Sequence, residues 1–332
     1  MILVTGATGL VGSHLSYYLL SQGKNVLAFA NRDEGKERTR EIFNFYGNPN
    51  LFNQLVWEHA DITDIMLLDE IFQRRKITEI YHCAGFVSYE PKDEKKMMQV
   101  NSGGTANLVN QALFHGVNKF CHVSSIAAIG SEKEGKEVTE NTKWNSSGAT
   151  NYAISKNSAE REAWRGAEEG LNVVIVNPTV IIGPGAWETS SSKLLLVAKE
   201  GTKFFTEGST GVVDVRDVVF CMHKLMEREI FSERYILNSE NISFHDLLSI
   251  PMRFCNQPKP TLRISKSGFR LFYYLERIVS VFSGKKPRLS KDFLKSGFSK
   301  QSYSSEKIKT LLDFKFMSAE ESFDWACGFL RK

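Results

Sequence analysis

The sequence contains few cysteines and lacks the local patterns that hold metal ions or disulfide frameworks. Its 332 residues include five cysteines and seven histidines, with no Cys-x-x-Cys and no histidines at metal-ligand spacing. An odd number of widely spaced cysteines is typical of free thiols in a reducing compartment. The chain also opens on MILVTG, without the basic and apolar regions of a secretory signal. We therefore expect no metal site and a cytoplasmic protein.

Long apolar runs and a strong basic excess are also missing. The most aromatic and apolar stretch, 268–282, is interrupted by Arg270, Glu276 and Arg277 and is too short to span a bilayer. A net charge of +4 is too small to indicate a nucleic-acid partner. We expect no membrane span and no nucleic acid, but a small-molecule substrate. The oligomeric state stays open, with a homodimer as one outcome.

What the sequence does contain is a regular alternation of apolar strands and helices. Strands are predicted at 2–5, 25–30, 54–60, 79–84, 119–125, 172–177 and 234–238, and helices at 11–22, 64–75, 94–115, 152–169 and 217–229. Most of these strands are apolar on both faces, as in a parallel sheet that helices cover on both sides. The pattern predicts an α/β fold with a Rossmann-type doubly wound parallel sheet.

A glycine-rich turn, TGATGLVG at 5–12, follows the first predicted strand. Gly6 permits a sharp turn, Gly9 lets backbone amides approach a pyrophosphate, and Gly12 lets the next helix pack against the strand. The helix N-terminus supplies free amides and the positive end of a dipole. Because the motif follows a strand and opens a helix, it predicts dinucleotide binding rather than an ordinary strand–helix turn.

The end of the second strand bears on the choice of dinucleotide. An acid at this place would bind the ribose 2′-hydroxyl of NAD. Here the strand ends at Ala30, and Arg32 follows two residues later, where a guanidinium suits a 2′-phosphate. The sequence favours NADP, with NAD as the alternative.

Beyond about residue 240 the rhythm changes to short helices, prolines and Ser/Lys-rich connections. We predict an NAD(P)-binding Rossmann domain over 1–240 and a smaller, mainly helical substrate-binding part over 241–332. Segment 178–210 contributes to the substrate cleft in this division.

The aromatic stretch 268–282 is predicted to form an amphipathic helix over that cleft. The candidates to face the cleft are Phe269, Phe272, Tyr273 and Phe282. Packing against the C-terminal core is an equal alternative, since these positions recur at roughly helical spacing. An apolar cover would suit a ketone or aldehyde with an aromatic or alicyclic body better than a diphosphate.

Two stretches match Tyr-x-x-x-Lys, YAISK at 152–156 and YSSEK at 303–307. Either could hold a tyrosine acid beside a lysine, because residues four apart share one face of a helix. About one such match is expected by chance, so the surroundings must decide.

Several ordered motifs resemble those of the extended short-chain dehydrogenase/reductases. They are TGATGLVG at 5–12, HCAG at 82–85, VNSGGTAN at 100–107, NPTVIIGPG at 177–185 and VDVRDV at 213–218. In this family a strand-end serine precedes a Tyr-x-x-x-Lys pair that opens the next helix. YAISK has that place after Ser125, whereas YSSEK has no such serine. The resemblance therefore selects Tyr152 and Lys156, and leaves packing to Tyr303 and the surface to Lys307.

The resemblance also implies the residues of the site. The catalytic residues would be Ser125, Tyr152 and Lys156, with Ser124 as the alternative serine. The cofactor-binding residues would be Gly6, Thr8, Gly9, Leu10, Val11, Gly12, Arg32, Asp61, Ile62, Cys83, Ala84, Gly85, Asn101, Tyr152, Lys156, Pro178 and Val180. Asn101 would either support a water relay or cap the backbone, and Asp61 with Ile62 would lie at the adenine.

These residue types suit proton transfer to a carbonyl oxygen. A phenol has a pKa of about 10, and a neighbouring ammonium favours its phenolate. Tyr152 could then protonate a carbonyl oxygen during reduction, or deprotonate an alcohol in the reverse direction. Ser125 would hydrogen-bond the same oxygen.

Three readings of function stay open at this point. Ile126-Ala127 stand where sugar dehydratases carry an acid pair, and Ala128-Ile129-Gly130 stand where epimerases usually show Val-Tyr-Gly. SSIAAIG looks more like the dihydroflavonol-4-reductase and 3β-hydroxysteroid dehydrogenase branch, which acts on ketones and aldehydes. A nucleotide-sugar epimerase, in which Asn177 could contact the sugar diphosphate, is the alternative. A non-catalytic dinucleotide-sensing module is the third reading, which the Tyr–Lys pair disfavours.

Overall fold

The computed structural model describes residues 1–88, 90–185, 191–270, 273 and 297–331. Its strands are β1 (Ile2–Thr5), β2 (Val26–Ala30), β3 (Val56–His59), β4 (Glu79–His82), β5 (Lys119–Val123), β6 (Glu137–Val138), β7 (Asn172–Pro178), β8 (Val180–Ile182), β9 (Phe204–Phe205), β10 (Ser209–Asp214), β11 (Glu233–Leu237), β12 (Glu240–Ser243), β13 (Leu262–Arg263) and β14 (Ser302–Tyr303). Its longer helical elements are α1 (Leu10–Ser21), α2 (Glu34–Phe45), α3 (Ile65–Arg74), α4 (Glu94–Met97), α5 (Gly104–Phe114), α6 (Asn151–Glu168), α7 (Lys193–Glu200), α8 (Val215–Glu227), α9 (Phe244–Phe254), α10 (Glu306–Leu312) and α11 (Ala319–Leu330).

The seven predicted strands form one parallel sheet in the order β3-β2-β1-β4-β5-β7-β11. The order reverses between β1 and β4, which makes their carboxyl ends the switch point of the sheet. Ligands of doubly wound sheets bind outside such a point. The predicted Rossmann-type fold is confirmed.

Helices cover both faces of this sheet because successive strand residues point to opposite sides. In β1, Leu3 packs with α3 and α5, whereas Val4 packs with α1 and α8. All four β1 side chains are buried. A strand covered by helices on both sides therefore needs apolar residues on both faces. This pattern is why the strands could be predicted from the sequence.

A smaller layer adjoins the main sheet. Strand β10 pairs in parallel with β8 and antiparallel with β12. Helices α7, α9 and α11 pack against this small sheet through a cluster that includes Leu195, Leu247 and Phe323. The C-terminal part thus mixes short strands with helices. The boundary at residue 240 stays a prediction, since the small sheet draws strands from both sides of it.

One predicted helix needs correction in detail, and one helix was not predicted. The predicted helix 94–115 is interrupted by a π-helical turn, Met98–Gly103, so that it consists of α4, this turn and α5. Helix α2 was missed, because EGKERTREIFNF is mostly polar. Its helical state follows from packing: Gly35 lies against the Thr8 side chain, and Ile42 and Phe43 are buried.

The aromatic stretch 268–282 lies mostly outside the described residues, including Phe272 and Phe282. Phe269 and Tyr273 are described and buried, and the Phe269 ring contacts Phe298 edge-on at 5.8 Å. The cover over the cleft therefore stays a prediction. None of the described helices is long and apolar enough to cross a membrane.

The start of α1 packs without any space for a side chain at Gly12. A Cβ atom there would overlap the Gly6 carbonyl, which is backbone and has little freedom to move. We expect Gly12→Ala to lower the free energy of unfolding by about 2 kcal/mol or more. Gly103→Ala is the control: its φ is −62° and its nearest atom lies 4.0 Å away, so a helical alanine should stabilise by up to about 1 kcal/mol. Urea unfolding measures both, and equal stability of Gly12→Ala and the parent would contradict this packing.

Candidate active site

The glycine-rich turn brings the ends of β1 and β4 into contact at the switch point. Gly6 has a φ of +63°, which a side chain rarely tolerates. A Cβ on Gly6 would lie 2.7 Å from the Ala84 backbone. The Gly9 amide donates a hydrogen bond to the Gly6 carbonyl at 2.9 Å, which closes the turn. The turn therefore packs against β4 too closely for side chains at Gly6.

The N-terminus of α1 opens at the same place. Its N-cap residue is Gly9, and no side chain caps it among the described residues. Leu10 and Val11 point their side chains into the core, so the first turn presents amides rather than side chains. Uncapped amides at the positive end of a helix dipole form an anion site.

The end of β2 places cations beside this turn. Arg32 is exposed two residues after the strand ends at Ala30. On α2, Lys36 pairs with Asp33 at 2.7 Å. Arg38, which the sequence analysis did not single out, has a buried Nε atom with no partner in the described part of the chain. It lies one helical turn after Gly35, which contacts Thr8.

Asp61 and Ile62 differ in their surroundings. Asp61 is exposed, and its Oδ1 accepts hydrogen bonds from the Thr63 amide at 2.9 Å and hydroxyl at 2.7 Å. Ile62 is buried against Gly104, where a Cβ would clash with its side chain. Its carbonyl accepts a hydrogen bond from the Asn107 side chain at 3.0 Å. The pair thus lies in the loop after β3, with Asp61 exposed and Ile62 buried.

A buried histidine that sequence reasoning missed supports the end of β4. His82 Nδ1 lies 2.8 Å from the Thr5 hydroxyl, and Nε2 lies 2.9 Å from the Thr105 hydroxyl. Burial lowers the pKa of His82 to about 3, so the ring is neutral and bridges β1 to α5. Thr5 also accepts a hydrogen bond from the Ala84 amide at 3.2 Å. Burial raises the pKa of the neighbouring Cys83 thiol, which stays protonated.

Asn101 fixes the backbone beside the predicted catalytic helix. Its Oδ1 accepts from the Phe86 amide at 2.7 Å, and its Nδ2 donates to the Phe86 carbonyl at 3.0 Å and to Ser155 at 2.9 Å. These bonds hold the Phe86 backbone against the helix, and the choice between a backbone role and a water relay stays a prediction. The π-helical turn carries Asn101, and a Cβ on Gly85 would lie 3.5 Å from its Oδ1 and 3.9 Å from Lys156 Nζ.

Helix α6 carries Tyr152 and Lys156 on one face. The Thr150 hydroxyl caps the helix by accepting from the Ala153 amide at 3.1 Å. Tyr152 is half-buried in the first turn. Lys156 is 5% exposed, and its ammonium donates to the Val123 carbonyl at the end of β5 at 2.8 Å. Burial lowers the pKa of Lys156 to about 8, and the charge of Glu160 opposes that shift.

The two adjacent serines have different partners. The Ser124 hydroxyl is buried and donates to Glu160 Oε2 at 2.7 Å. The Ser125 hydroxyl is half-buried and accepts from the Ala127 amide at 3.2 Å, while its proton has no acceptor in the described part of the chain. Helix α6 packs on the turn just after Ser125, where Asn157 bonds the Ala128 carbonyl at 2.9 Å. Ser125 therefore retains a donor that Ser124 has already used.

Glu160 is the third residue, after Arg38 and His82, that sequence reasoning missed. A charged residue within a helix ordinarily faces solvent, yet Glu160 is 2% exposed. The only signal in the sequence is its position four residues after Lys156, which places the two on one face.

Pro178 and Val180, which were predicted to bind the cofactor, lie where β7 ends and β8 begins. β7 ends at Pro178, which is buried, and β8 begins at the half-buried Val180. Between them, the amide and hydroxyl of Thr179 both donate to the Leu237 carbonyl, at 3.0 and 3.2 Å. The preceding residue, Asn177, is fully buried.

The second Tyr-x-x-x-Lys stretch lies elsewhere. Tyr303 is buried in a small cluster with Ile129, Val138 and Ile236. Lys307 pairs with Glu233 at 2.5 Å and lies over the Tyr235 ring. The pair thus has structural partners, as expected, although Lys307 is ion-paired rather than loosely solvated. Within the described ranges, no group of three His, Cys, Asp or Glu residues could hold a metal ion.

The comparisons with known proteins now define the class. The NAD dependent epimerase/dehydratase family matches residues 2–237, and the chain belongs to this family, whose members are NAD(P)-dependent extended short-chain dehydrogenase/reductases. It is 30% identical to sterol demethylase protein B of Methylococcus capsulatus, over 79% of this chain and 76% of the relative. It is 27% identical to a putative dihydroflavonol 4-reductase of Synechocystis, over 92% and 87%.

Solved structures share the fold across the whole chain. The UDP-glucose 4-epimerase of Thermotoga maritima superposes with a TM-score of 0.78 at 20% identity, over 99% of this chain and 98% of the epimerase. At this identity the likeness concerns the fold alone. Reductases and epimerases thus share one architecture, and the site must separate them.

The different partners of the two serines predict different effects on stability. Ser124→Ala removes a donor from a buried carboxylate, so we expect a loss of about 1.5–3 kcal/mol in the free energy of unfolding. Ser125→Ala removes only an acceptor of a 3.2 Å bond on a half-buried turn, so we expect at most about 1 kcal/mol. Urea unfolding of the two variants checks this. A Ser125→Ala loss as large as that of Ser124→Ala would reverse the assignment of the two hydroxyls.

Proposed function

We propose that the protein is an NADPH-dependent reductase of a ketone or aldehyde, which can also oxidise the corresponding alcohol. The observation that carries this proposal is the arrangement at the carboxyl edge of the sheet. Lys156 is buried one helical turn after Tyr152, and on the adjoining strand end the Ser125 hydroxyl proton has no acceptor among the described residues. Tyr152 would be the acid, and the Lys156 ammonium would stabilise the phenolate that Tyr152 becomes. Ser125 would donate a hydrogen bond to the substrate's carbonyl oxygen.

The residues of the chain fit a dinucleotide. Gly6 and Gly9 form a cradle that side chains would fill, and the uncapped end of α1 suits a pyrophosphate. The exposed Arg32, and Arg38, whose buried Nε has no partner within the described ranges, suit a 2′-phosphate. Lys156 would bind the nicotinamide ribose beside Gly85. A bound NADPH supplies the hydride, which the side chains of this chain cannot provide.

The chain's own residues would manage the proton. The Ser125 hydroxyl would donate a hydrogen bond to the carbonyl oxygen and hold it. The Tyr152 phenol would transfer its proton to that oxygen as negative charge develops there. The Lys156 ammonium would stabilise the phenolate that remains, since an opposite charge nearby favours the ionised form.

The contacts of Asn177 favour the reductase hypothesis over the epimerase hypothesis. Its side chain is fully buried and donates to Ser125's carbonyl at 3.0 Å and to Glu160 at 2.8 Å. It is therefore engaged in holding the strand ends rather than available to a sugar diphosphate. The names of the two relatives, a sterol demethylase protein and a dihydroflavonol reductase, support a substrate with an alicyclic or aromatic body.

The proton donor is tested by Tyr152→Phe. This variant keeps the ring and loses the acid, so turnover should fall by about 10²–10⁴ while NADPH binding is retained. Activity is followed as NADPH oxidation and product formation with a panel of ketones, aldehydes and nucleotide sugars. Tyr303→Phe removes a hydroxyl from the other Tyr-x-x-x-Lys stretch and should leave turnover within about twofold.

The panel also separates the candidate functions. Turnover of nucleotide sugars alone would move the assignment to an epimerase, and NADPH binding without any turnover would favour a sensing module. Equal activity of Tyr152→Phe and the parent would remove Tyr152 from the mechanism.

The cofactor preference is tested by Arg32→Ala. Loss of the guanidinium should weaken NADPH binding about tenfold or more and leave NADH binding unchanged, because only NADPH carries the 2′-phosphate. Arg40→Ala is the matched control, since Arg40 is an exposed cation on α2 that lies over the Phe52 ring. Titration of tryptophan fluorescence with each cofactor gives the dissociation constants. Equal affinity of the parent for NADPH and NADH would contradict the preference.

A further inference from the structure

Glu160 joins three strands of the main sheet through one buried carboxylate. Its Oε2 accepts from the Ser124 hydroxyl at 2.7 Å and from Asn177 Nδ2 at 2.8 Å, and its Oε1 accepts from Arg234 Nη1 at 2.9 Å. These donors lie at the end of β5, in β7 and in β11. A buried carboxylate is stable only when its oxygens are paired in this way.

The same carboxylate holds the backbone on both sides of Ser125. On one side it binds the Ser124 hydroxyl directly. On the other side it binds Asn177, whose Nδ2 also donates to the Ser125 carbonyl at 3.0 Å. The Ser124 amide further donates to the Val176 carbonyl at 2.8 Å, which extends the β5–β7 pairing up to the serine. The position of the Ser125 hydroxyl therefore depends on Glu160.

Glu160 also faces Lys156 from the next turn of α6. Besides Tyr152, the titratable groups of the described part of the chain that lie in electrostatic range are Cys83, just after β4, and His82 and His122, on β4 and β5. Burial raises the pKa of the Cys83 thiol and lowers the pKa of both imidazoles, so these three are neutral near pH 7.

The negative charge in range of the buried ammonium thus comes from Glu160 within the described part of the chain. Tyr152, one turn before Lys156, would add a second negative charge only as its phenolate. Arg234 lies behind Glu160 and neutralises part of its charge.

We propose that Glu160 is a positioning residue for the site formed by Ser125, Tyr152 and Lys156: its carboxylate orders the strand end that carries Ser125 and supplies the counter-charge that keeps Lys156 protonated. The catalytic meaning of this role rests on the proposed function. The effect on the ionisation of Lys156 does not, and it can be measured without a substrate.

The first experiment follows activity against pH in Glu160→Gln, which keeps the shape of the side chain and removes its charge. Lys156 should then lose its proton at lower pH, so the alkaline limb of kcat/KM should move down by about one pH unit. Above both limbs this is about a tenfold lower kcat/KM relative to the parent. Glu160→Asp retains the charge and should keep the limb near its parental position.

Arg234→Met gives a change of opposite sign. Removing the cation behind Glu160 leaves more of its negative charge for Lys156, so the limb should move to higher pH. Glu162→Gln is the control, because Glu162 pairs with Arg165 on the solvent side of the same helix. It should leave the limb in place.

The second experiment needs no activity. The folded-state pKa of Lys156, about 8, lies below the value of 10.5 for an unpaired lysine. The unfolded chain then binds more protons between these values, so this lysine makes the free energy of unfolding rise with pH from about 8 to 10.5. In Glu160→Gln the rise should begin about one unit lower. Subtracting the parental curve removes the contribution of other groups that titrate there.

The outcomes separate the two proposals. A parent protein without turnover, together with the shifted stability curve in Glu160→Gln, would reject the reductase function and keep the role of Glu160 toward Lys156. A uniform loss of kcat and stability at every pH, with unmoved limbs, would show a merely structural residue and overturn the proposal. If Glu160→Gln does not fold, Arg234→Met alone decides. An alkaline limb of kcat/KM that stays in place or moves to lower pH in Arg234→Met would overturn the proposed role of Glu160.

Discussion

A buried lysine at the carboxyl edge of the sheet imposes the main constraint on this structure. Desolvation of an ammonium costs several kcal/mol unless other groups compensate for the lost water. Lys156 is compensated by the Val123 carbonyl and by the charge of Glu160. Glu160 in turn needs Ser124, Asn177 and Arg234. One buried charge therefore constrains polar side chains on β7, on β11 and at the end of β5, and with them the geometry around Ser125.

The glycine turn imposes a second constraint at the neighbouring strands. Gly6 touches the Ala84 backbone, and the Ala84 amide is bonded to Thr5, which also meets the ring of His82. β1 and β4 are thus joined by contacts that leave no room for side chains on the turn. The glycines of the turn are therefore required by this close packing itself.

Much of this could be predicted from the sequence because it depends on local order. Strands apolar on both faces, the spacing of Gly6, Gly9 and Gly12, and the position of YAISK after Ser125 are all visible along the chain. Helix α2 was not visible, since its residues are mostly polar and its contacts come from the glycine turn. The burial of Glu160, His82 and Arg38 could not be predicted either, because the sequence does not distinguish a buried polar residue from a solvated one. Their burial depends on which strands and helices lie opposite them.

The same distinction explains why the cofactor class is better defined than the substrate. The cofactor half of the site is made of backbone, and backbone geometry follows from glycines and strand order, which sequence motifs record. The predicted substrate-binding part would draw on β8, β10 and β12, a small sheet whose strands lie on both sides of residue 240, so no single stretch of the sequence specifies it. Chains that share this sheet can therefore keep one dinucleotide site and change their substrates. Asn177 is informative because it lies near the carboxyl end of β7, beside the predicted substrate-binding part, while its buried hydrogen bonds to Glu160 and the Ser125 carbonyl fix the strand end that carries Ser125.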